Sequence, residues 1–443
     1  MENFSFILTP QWIATMIMLV CYVALFSEKV NRAVATLIAA MFMIFSGVIT
    51  QQEAFASVDF NTISLLVGMM AIVSITERSG LFQFVAIWSA QKVKANPIGL
   101  LVVLSVVTAV FSAFLDNVTT VLLIVPVTFQ MTRKLQITPY PYLILEIFAS
   151  NIGGTATLIG DPPNILIGSA LNLSFTDFIL NLAPVVIITA TVLILSFVLI
   201  FKSYLTTTDR NRAAIMRMDA FSHIIDKKLL YQSLSVLGCV MIGFVLAEHI
   251  HLENGVIALA GAAVLLGLWT AKEKPYTRDE KTEDILNLTD WTTIFFFMGL
   301  FMVVFGLEKT GLLEELGLKF LDWTDGSLKR ATFIMLSASA VVSSFIDNIP
   351  FVATMIPTLK SMEASLGGRE AMMPVWWALS LGACFGGNGS LIGASANVIV
   401  AGLAVREGHP IKFLEFLLWS VPVMFISIVI GALYLYVRYF AFL

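Results

Sequence analysis

The sequence predicts an all-α polytopic membrane protein built from two inverted repeats of five spanning helices, each with a re-entrant hairpin and a broken helix. Three observations predict it. Uncharged apolar runs reach membrane-spanning length, blocks of sequence recur at an offset of 231–233 residues, and matched polar or Gly/Pro breaks interrupt the apolar segments.

The apolar runs come first. Of 443 residues, 58% are hydrophobic and 13% charged, too few charges to clothe a soluble chain of this length. Runs 12–26, 33–48 and 184–201 carry no charge, and at ~1.5 Å per residue each approaches the ~30 Å hydrocarbon core. No basic stretch and cleavage site precede the first run, so it reads as a helix rather than a signal peptide. Cys21, Cys239 and Cys384 are scattered, which suggests neither a disulfide framework nor a zinc site. The four histidines (His223, His249, His251, His409) fall in expected connections. No HExxH, GxSxG or P-loop string occurs, which argues against an enzyme and against an ATPase within this chain.

The repeat is specific. Segment 59–81 aligns without gaps with 290–312, with eight of 23 positions identical, among them Asp, Glu and two Gly. SAFLDNVTTVLLIVP at 112–126 meets SSFIDNIPFVATMIP at 343–357, and GGTATLIGDPPNI at 153–165 meets GGNGSLIGASANV at 386–398. Three blocks in one order mean duplication of a half. The chain divides into a first repeat (1–203), a cytoplasmic linker (204–228) and a second repeat (229–443).

Each half reads alike. Three spans (11–27, 31–49, 60–78; 229–248, 254–270, 290–308) precede an amphipathic surface segment (81–94; 311–327). A hairpin broken at Asp-Asn follows (97–131; 328–361), then a Gly/Pro-interrupted helix (138–173; 372–405) and a long final span (175–203; 412–440). The hairpin arms read as shorter than a comfortable span. A polar pair at mid-depth must be buried in protein or face a cavity, so the hairpins read as re-entrant. Five crossings per half then invert the second half. With both termini outside, Lys29, Arg32, Arg78, Lys92, Lys94, Arg133, Lys134 and the basic linker fall inside, the expected cytoplasmic excess. The flanks of the second hairpin, Lys309 to Arg369, run against it.

Candidate site residues lie at these breaks. Asp116-Asn117 and Asp347-Asn348 occupy the hairpin apices. They would cap the following helix, but capping needs no charge, and an intramembrane acid marks an ion pathway. Gly153-Gly154 and Gly386-Gly387 free the backbone, followed by Thr155, Thr157, Asn164 and by Asn388, Ser390, Asn397. Unwound carbonyls beside a carboxylate suit Na⁺, with Asp116, Thr155, Asp347 and Asn388 as its candidate ligands, whereas helix N-termini suit an anion or polar solute. Close packing is the alternative reading of the glycines. Glu146 and Asp161 stand in one half only, opposite Leu379 and Ala394, and are proton-carrier candidates. No Lys or Arg falls within the site blocks, which favours a cation, a proton or a neutral hydroxide solute over a polyanion unless Na⁺ binds with it.

The strings FLDNVTTVLLIVP, ASNIGGTATLIGDPPNILIG, SFIDNIPFVATMIP and GGNGSLIGASANVIVAG resemble the ArsB/NhaD branch of the ion transporter superfamily, and GGTATLIGDPPN is similar to its P-protein permease subgroup. The resemblance covers essentially the whole chain. It implies an inverted-repeat fold, a homodimer through scaffold helices and elevator-type alternating access. The wider superfamily includes divalent-anion/Na⁺ symporters. In the dicarboxylate branch the hairpin tips carry Ser-Asn-Thr, whereas here they carry Asp116-Asn117-Val118 and Asp347-Asn348-Ile349.

The sequence-based expectation is therefore a secondary active transporter of a small inorganic ion or solute, coupled to Na⁺ or H⁺, in a bacterial inner membrane. Beyond the coupling ion it needs no cofactor and takes no nucleic acid. Arsenite-type efflux is the lead substrate class, with an ATPase in trans as partner of such a pump and Cys384 placed to touch arsenite. Na⁺/H⁺ antiport, Na⁺-coupled dicarboxylate transport and a channel of the same fold are the alternatives.

Overall fold

The computed structural model describes residues 9–27 and 29–441, and among these residues there are α-helices and short 3₁₀ turns but no strand. The first half contains α1 (Pro10–Ser27), α2 (Arg32–Phe45), α3 (Gln51–Ala56), α4 (Phe60–Glu77), α5 (Leu81–Lys92), α6 (Pro97–Phe114), α7 (Asn117–Leu135), α8 (Tyr140–Gly154), α9 (Pro162–Leu171) and α10 (Phe175–Phe201). After α11 (Asp209–Met216), the second half repeats the order with α12 (Lys227–Ile250), α13 (Asn254–Thr270), α14 (Pro275–Leu288), α15 (Trp291–Lys309), α16 (Leu312–Trp323), α17 (Leu328–Phe345), α18 (Asn348–Met362), α19 (Met373–Gly386), α20 (Ser395–Arg406) and α21 (Phe413–Tyr439). Seven of these helices are long and apolar enough to cross a membrane. Among the most apolar, α10 and α21 are only 28% buried and leave much of their apolar surface exposed. An apolar helix that stays exposed needs lipid around it.

Helix starts follow local chemistry. Asp59 caps α4 through the Asn61 and Thr62 amides, and Asp290 caps α15 through the Thr293 amide. Ser174 and Asp177 form a capping box that starts α10, and Pro162 occupies the first turn of α9, where no amide is lost.

Two bundles result. In one, α2 packs on α15 and α4 on α13, so each pair takes one helix from each half. Glycine lets them approach. A Cβ on Gly68 would lie 2.5 Å from the Ala258 carbonyl carbon, and one on Gly299 would lie 2.7 Å from that of Thr36. This is close packing by small residues, as lipid-embedded helices require. In the other bundle α6 packs on α8 and α17 on α19. A Cβ on Gly153 would meet the Ala109 carbonyl oxygen at 2.3 Å, and one on Gly386 would meet that of Ala340 at 2.6 Å. These are equivalent positions of the repeat.

Three expectations need correction, and the linker adds an observation of its own. The hairpin arms are not all short: α6, α7 and α17 have 18, 19 and 18 residues, about 27 Å at 1.5 Å per residue, and only α18, with 15, is clearly shorter than a span. Segments 51–59 and 272–281, which lie between the expected spans, carry α3 and the first half of α14, because Thr50 and Glu53 close a capping box and Pro275 opens a helix. His249 lies in the last turn of α12, which runs to Ile250. The linker at 204–228 is docked on the first half. Gln91 Nε2 donates to Met218 O (2.6 Å), Thr207 Oγ1 to Leu135 O (2.6 Å) and the Ile225 amide to Ser79 O (2.9 Å). The expected placement of the chain ends concerns 1–8 and 442–443, outside the described residues.

Candidate functional site

The two hairpin tips meet. Between α6 and α7, Asp116 accepts from the Thr119 amide (2.8 Å) and from Thr119 Oγ1 (2.5 Å). Between α17 and α18, Asp347 accepts from the Ile349 amide (3.2 Å). Both carboxylates are half-buried and line one cavity of about 320 Å³, together with Asn117, Asn348, Asp161 and Ser395. The helix bundle opposite contributes Arg32, Asp290 and Thr293. Four carboxylates thus face a single guanidinium among the described residues.

Each break is closed by its own asparagine. Asn164 Nδ2 donates to Thr155 O (3.1 Å) and Thr157 O (2.8 Å), and Asn397 Nδ2 donates to Gly387 O and Ser390 O (both 2.8 Å). An unwound turn leaves carbonyls without helical partners, and a fully buried carboxamide satisfies two of them. The expected hydroxyls also turn to backbone. Thr155 Oγ1 donates to Asn151 O, Thr157 Oγ1 to Ala113 O and Ser390 Oγ to Ser344 O. The last two tie each break to its own hairpin at equivalent positions, as do Ser112 to Ser150 O (2.7 Å) and Ser343 to Ala383 O (2.6 Å).

A residue not singled out from the sequence joins the halves. Asn151, buried in α8, donates from Nδ2 to Asn388 Oδ1 and Asn397 Oδ1 (both 2.9 Å) and accepts from Asn117 Nδ2 (3.2 Å). Its repeat equivalent is Cys384, whose Sγ lies 3.8 Å from Asn164 Oδ1, which Ser380 Oγ also reaches at 2.6 Å. The halves therefore exchange equivalent contacts, with amide donors in one direction and hydroxyl and thiol in the other. The signal available in sequence was the polar residue two positions before the first Gly pair.

The one-sided acids separate. Asp161 lines the cavity, its Oδ1 3.5 Å from Asn348 Nδ2 and its buried Oδ2 without a partner. Asn388 Nδ2 is likewise buried and unpaired. Glu146 lies outside the cavity lining, fully buried, with one oxygen accepting from Thr128 Oγ1 (2.5 Å) and the other unpaired. Of the expected Na⁺ ligands, Asp116 and Asp347 reach the cavity wall, while Thr155 and Asn388 sit behind it.

Comparison with known proteins decides the family. A profile described as citrate transporter, CitMHS, matches residues 22–382. The chain belongs to the citrate transporter (CitMHS) family. This CitMHS chain is 41% identical to an uncharacterized transporter of Mycobacterium tuberculosis over 435 residues, 97% of this chain and 99% of that one. It is 31% identical to the P protein of Sus scrofa, with 96% of this chain covered and 59% of the relative. The family and the P protein match bear out the resemblance read from the hairpin and break strings. Among solved structures, the Alcanivorax borkumensis YdaH transporter superposes with a TM-score of 0.59 at 14% identity, covering 96% of this chain and 97% of that one. Neisseria gonorrhoeae MtrF, from a class of antimetabolite efflux pumps, gives 0.58 at 11% identity, covering 98% of each chain. Both show the fold alone. The CitMHS chain is an integral membrane transporter, and its surroundings are the lipid bilayer and a transported solute.

Proposed function

We propose that this transporter is a secondary carrier whose coupling ion, Na⁺ or H⁺, is held by Asp116, Asp161 and Asp347, with the cargo in the same cavity. One observation carries the reading: both hairpin tips and the start of α9 bring carboxylates to one space that a single arginine cannot neutralise. Unpaired charge at that depth is costly, and a bound cation or proton offsets it. In this reading the halves are inverted repeats, the hairpins re-enter the membrane, and the hairpin bundle slides against the α2–α4–α13–α15 bundle, with a homodimer formed through the latter.

The acid excess favours a cargo that enters neutral or accompanied by cations. A neutral hydroxide solute such as arsenous acid fits the first description and remains the lead class. The family description favours a second reading, a citrate-type carboxylate carried together with its cations. Flux into proteoliposomes under imposed Na⁺ or pH gradients tests both, with arsenite, citrate and Na⁺ as cargoes. One cargo should move only with its gradient, and Asp116→Asn and Asp347→Asn should each lower that flux at least tenfold. If both variants keep coupled flux, the site is assigned wrongly. Saturating currents independent of any counter-ion would instead mark a channel.

A further inference from the structure

Arg32 bridges the two bundles. It opens α2, and its guanidinium is held from behind by α15, with Nη2 donating to Thr293 Oγ1 (2.5 Å) and Asp290 Oδ2 (3.5 Å). It lies 5.5 Å from the Phe296 ring centroid. Forward, Nη1 donates to Ser395 Oγ (3.0 Å) at the start of α20 and comes within 3.9 Å of Asp347 Oδ2 at the hairpin tip. Thr293 and Asp290 belong to its own bundle, whereas Ser395 and Asp347 belong to the other.

The place equivalent to the start of α2, the start of α13, holds Asn254-Gly255 and no cation. There Asn61, two residues after the α4 cap, donates to Ser169 Oγ (3.2 Å) and accepts from the Gly255 amide (2.8 Å). Ser395 corresponds in the repeat to Pro162, yet the residue met at the α4 end is Ser169. The two bundles therefore meet differently on the two faces, through Ser395 at the start of α20 on one and Ser169 near the end of α9 on the other.

We propose that Arg32 is a positioning residue that latches the unloaded carrier. With no coupling ion bound, the guanidinium pairs with Asp347 and holds the hairpin bundle to the opposite bundle. A cation or proton at Asp347 cancels the carboxylate charge, the attraction between Arg32 and the tip collapses, and the bundle is free to slide. Arginine suits the task because it stays charged throughout, so release is governed by the facing acids Asp116, Asp161, Asp290 and Asp347. The proposal rests on the cation-coupled reading, but its test separates the two.

Spin labels on cysteines replacing Ile38 in α2 and Val405 in α20, in a Cys239→Ser background, report the distance between bundles in nanodiscs. Measurements run at alkaline pH with choline, then with Na⁺, then at acidic pH. Wild type should show one distance in choline and a second on addition of one of the two cations. Arg32→Gln should populate the second distance in choline at least tenfold more than wild type. Asp347→Asn, which breaks the pair from the other side, should do the same, while Arg32→Lys should keep the wild-type response and so separate loss of charge from loss of fold. If either Arg32→Gln or Asp347→Asn keeps the single wild-type distance in choline, the latch is overturned. If both variants shift but wild type ignores Na⁺ and acid alike, the latch stands and the coupling reading fails.

Discussion

Replacing Asn151 by alanine removes a side chain that hydrogen-bonds Asn117 of the first hairpin tip and Asn388 and Asn397 of the second break. Three buried contacts are lost, to Asn117, Asn388 and Asn397. Each neutral buried hydrogen bond is worth about 1 kcal/mol net, and averages about 0.6 kcal/mol in lipid-embedded helices. Asn388 suffers further, because its Nδ2 is already unpaired and its Oδ1 would lose the Asn151 amide. An orphaned buried polar atom costs about 1–3 kcal/mol. The sum is about 3–6 kcal/mol, which at 1.4 kcal/mol per tenfold is a population change of roughly a hundredfold or more. In proteoliposomes, Asn151→Ala should lower flux by at least tenfold and lower the melting midpoint of the purified protein. Asn151→Cys, which copies Cys384 of the other half, should retain more flux than alanine because the thiol still donates weakly. Wild-type flux and melting in Asn151→Ala would refute the claim that this amide locks the two halves together.

Three further predictions follow from particular contacts. Gly386→Ala places a Cβ 2.6 Å from the Ala340 carbonyl oxygen, which is backbone and cannot yield, so monodisperse protein should be lost on size-exclusion chromatography, whereas Gly267→Ala meets nothing within 4 Å and should behave as wild type. Outside the spans, the Lys309 ammonium and the Thr50 cap hold the Glu53 carboxyl down at about 2. Its folded pKa is depressed, so the contribution of this contact is present above the ordinary carboxylate range and lost as pH falls toward about 2; carboxyl NMR should show the midpoint rising in Lys309→Gln. In the Cys239→Ser background, a cysteine replacing exposed Lys134 should label only from the cytoplasmic side and one replacing exposed Lys360 only from the other; labelling of both from one side would refute the inverted arrangement.

Much of the site was legible because its markers are covalently local. An Asp-Asn pair inside an apolar run, a Gly pair and a Pro pair cannot be absorbed by a lipid-facing helix, so each announces a tip or a break wherever the chain folds. Glu146 shows the limit of that logic. It satisfied the same rule of a lone acid in an apolar helix, yet it faces Thr128 of α7 and not the cavity. The helical face it takes depends on which neighbour packs against α8. Arg32 and Asp290 went unassigned for the complementary reason, since at helix ends they look like ordinary flanking charges.

The sequence by itself determined that this is a duplicated helical membrane protein, where its hairpins turn and where two helices break, because hydropathy, capping and backbone freedom act over a few residues. Only the tertiary structure decided that the four breaks share one cavity, that Asn151 ties the halves together, and that Arg32 on α2 reaches the tip of a hairpin more than 300 residues away in sequence. Those contacts depend on two bundles packing at one particular register, a long-range choice that no local pattern encodes.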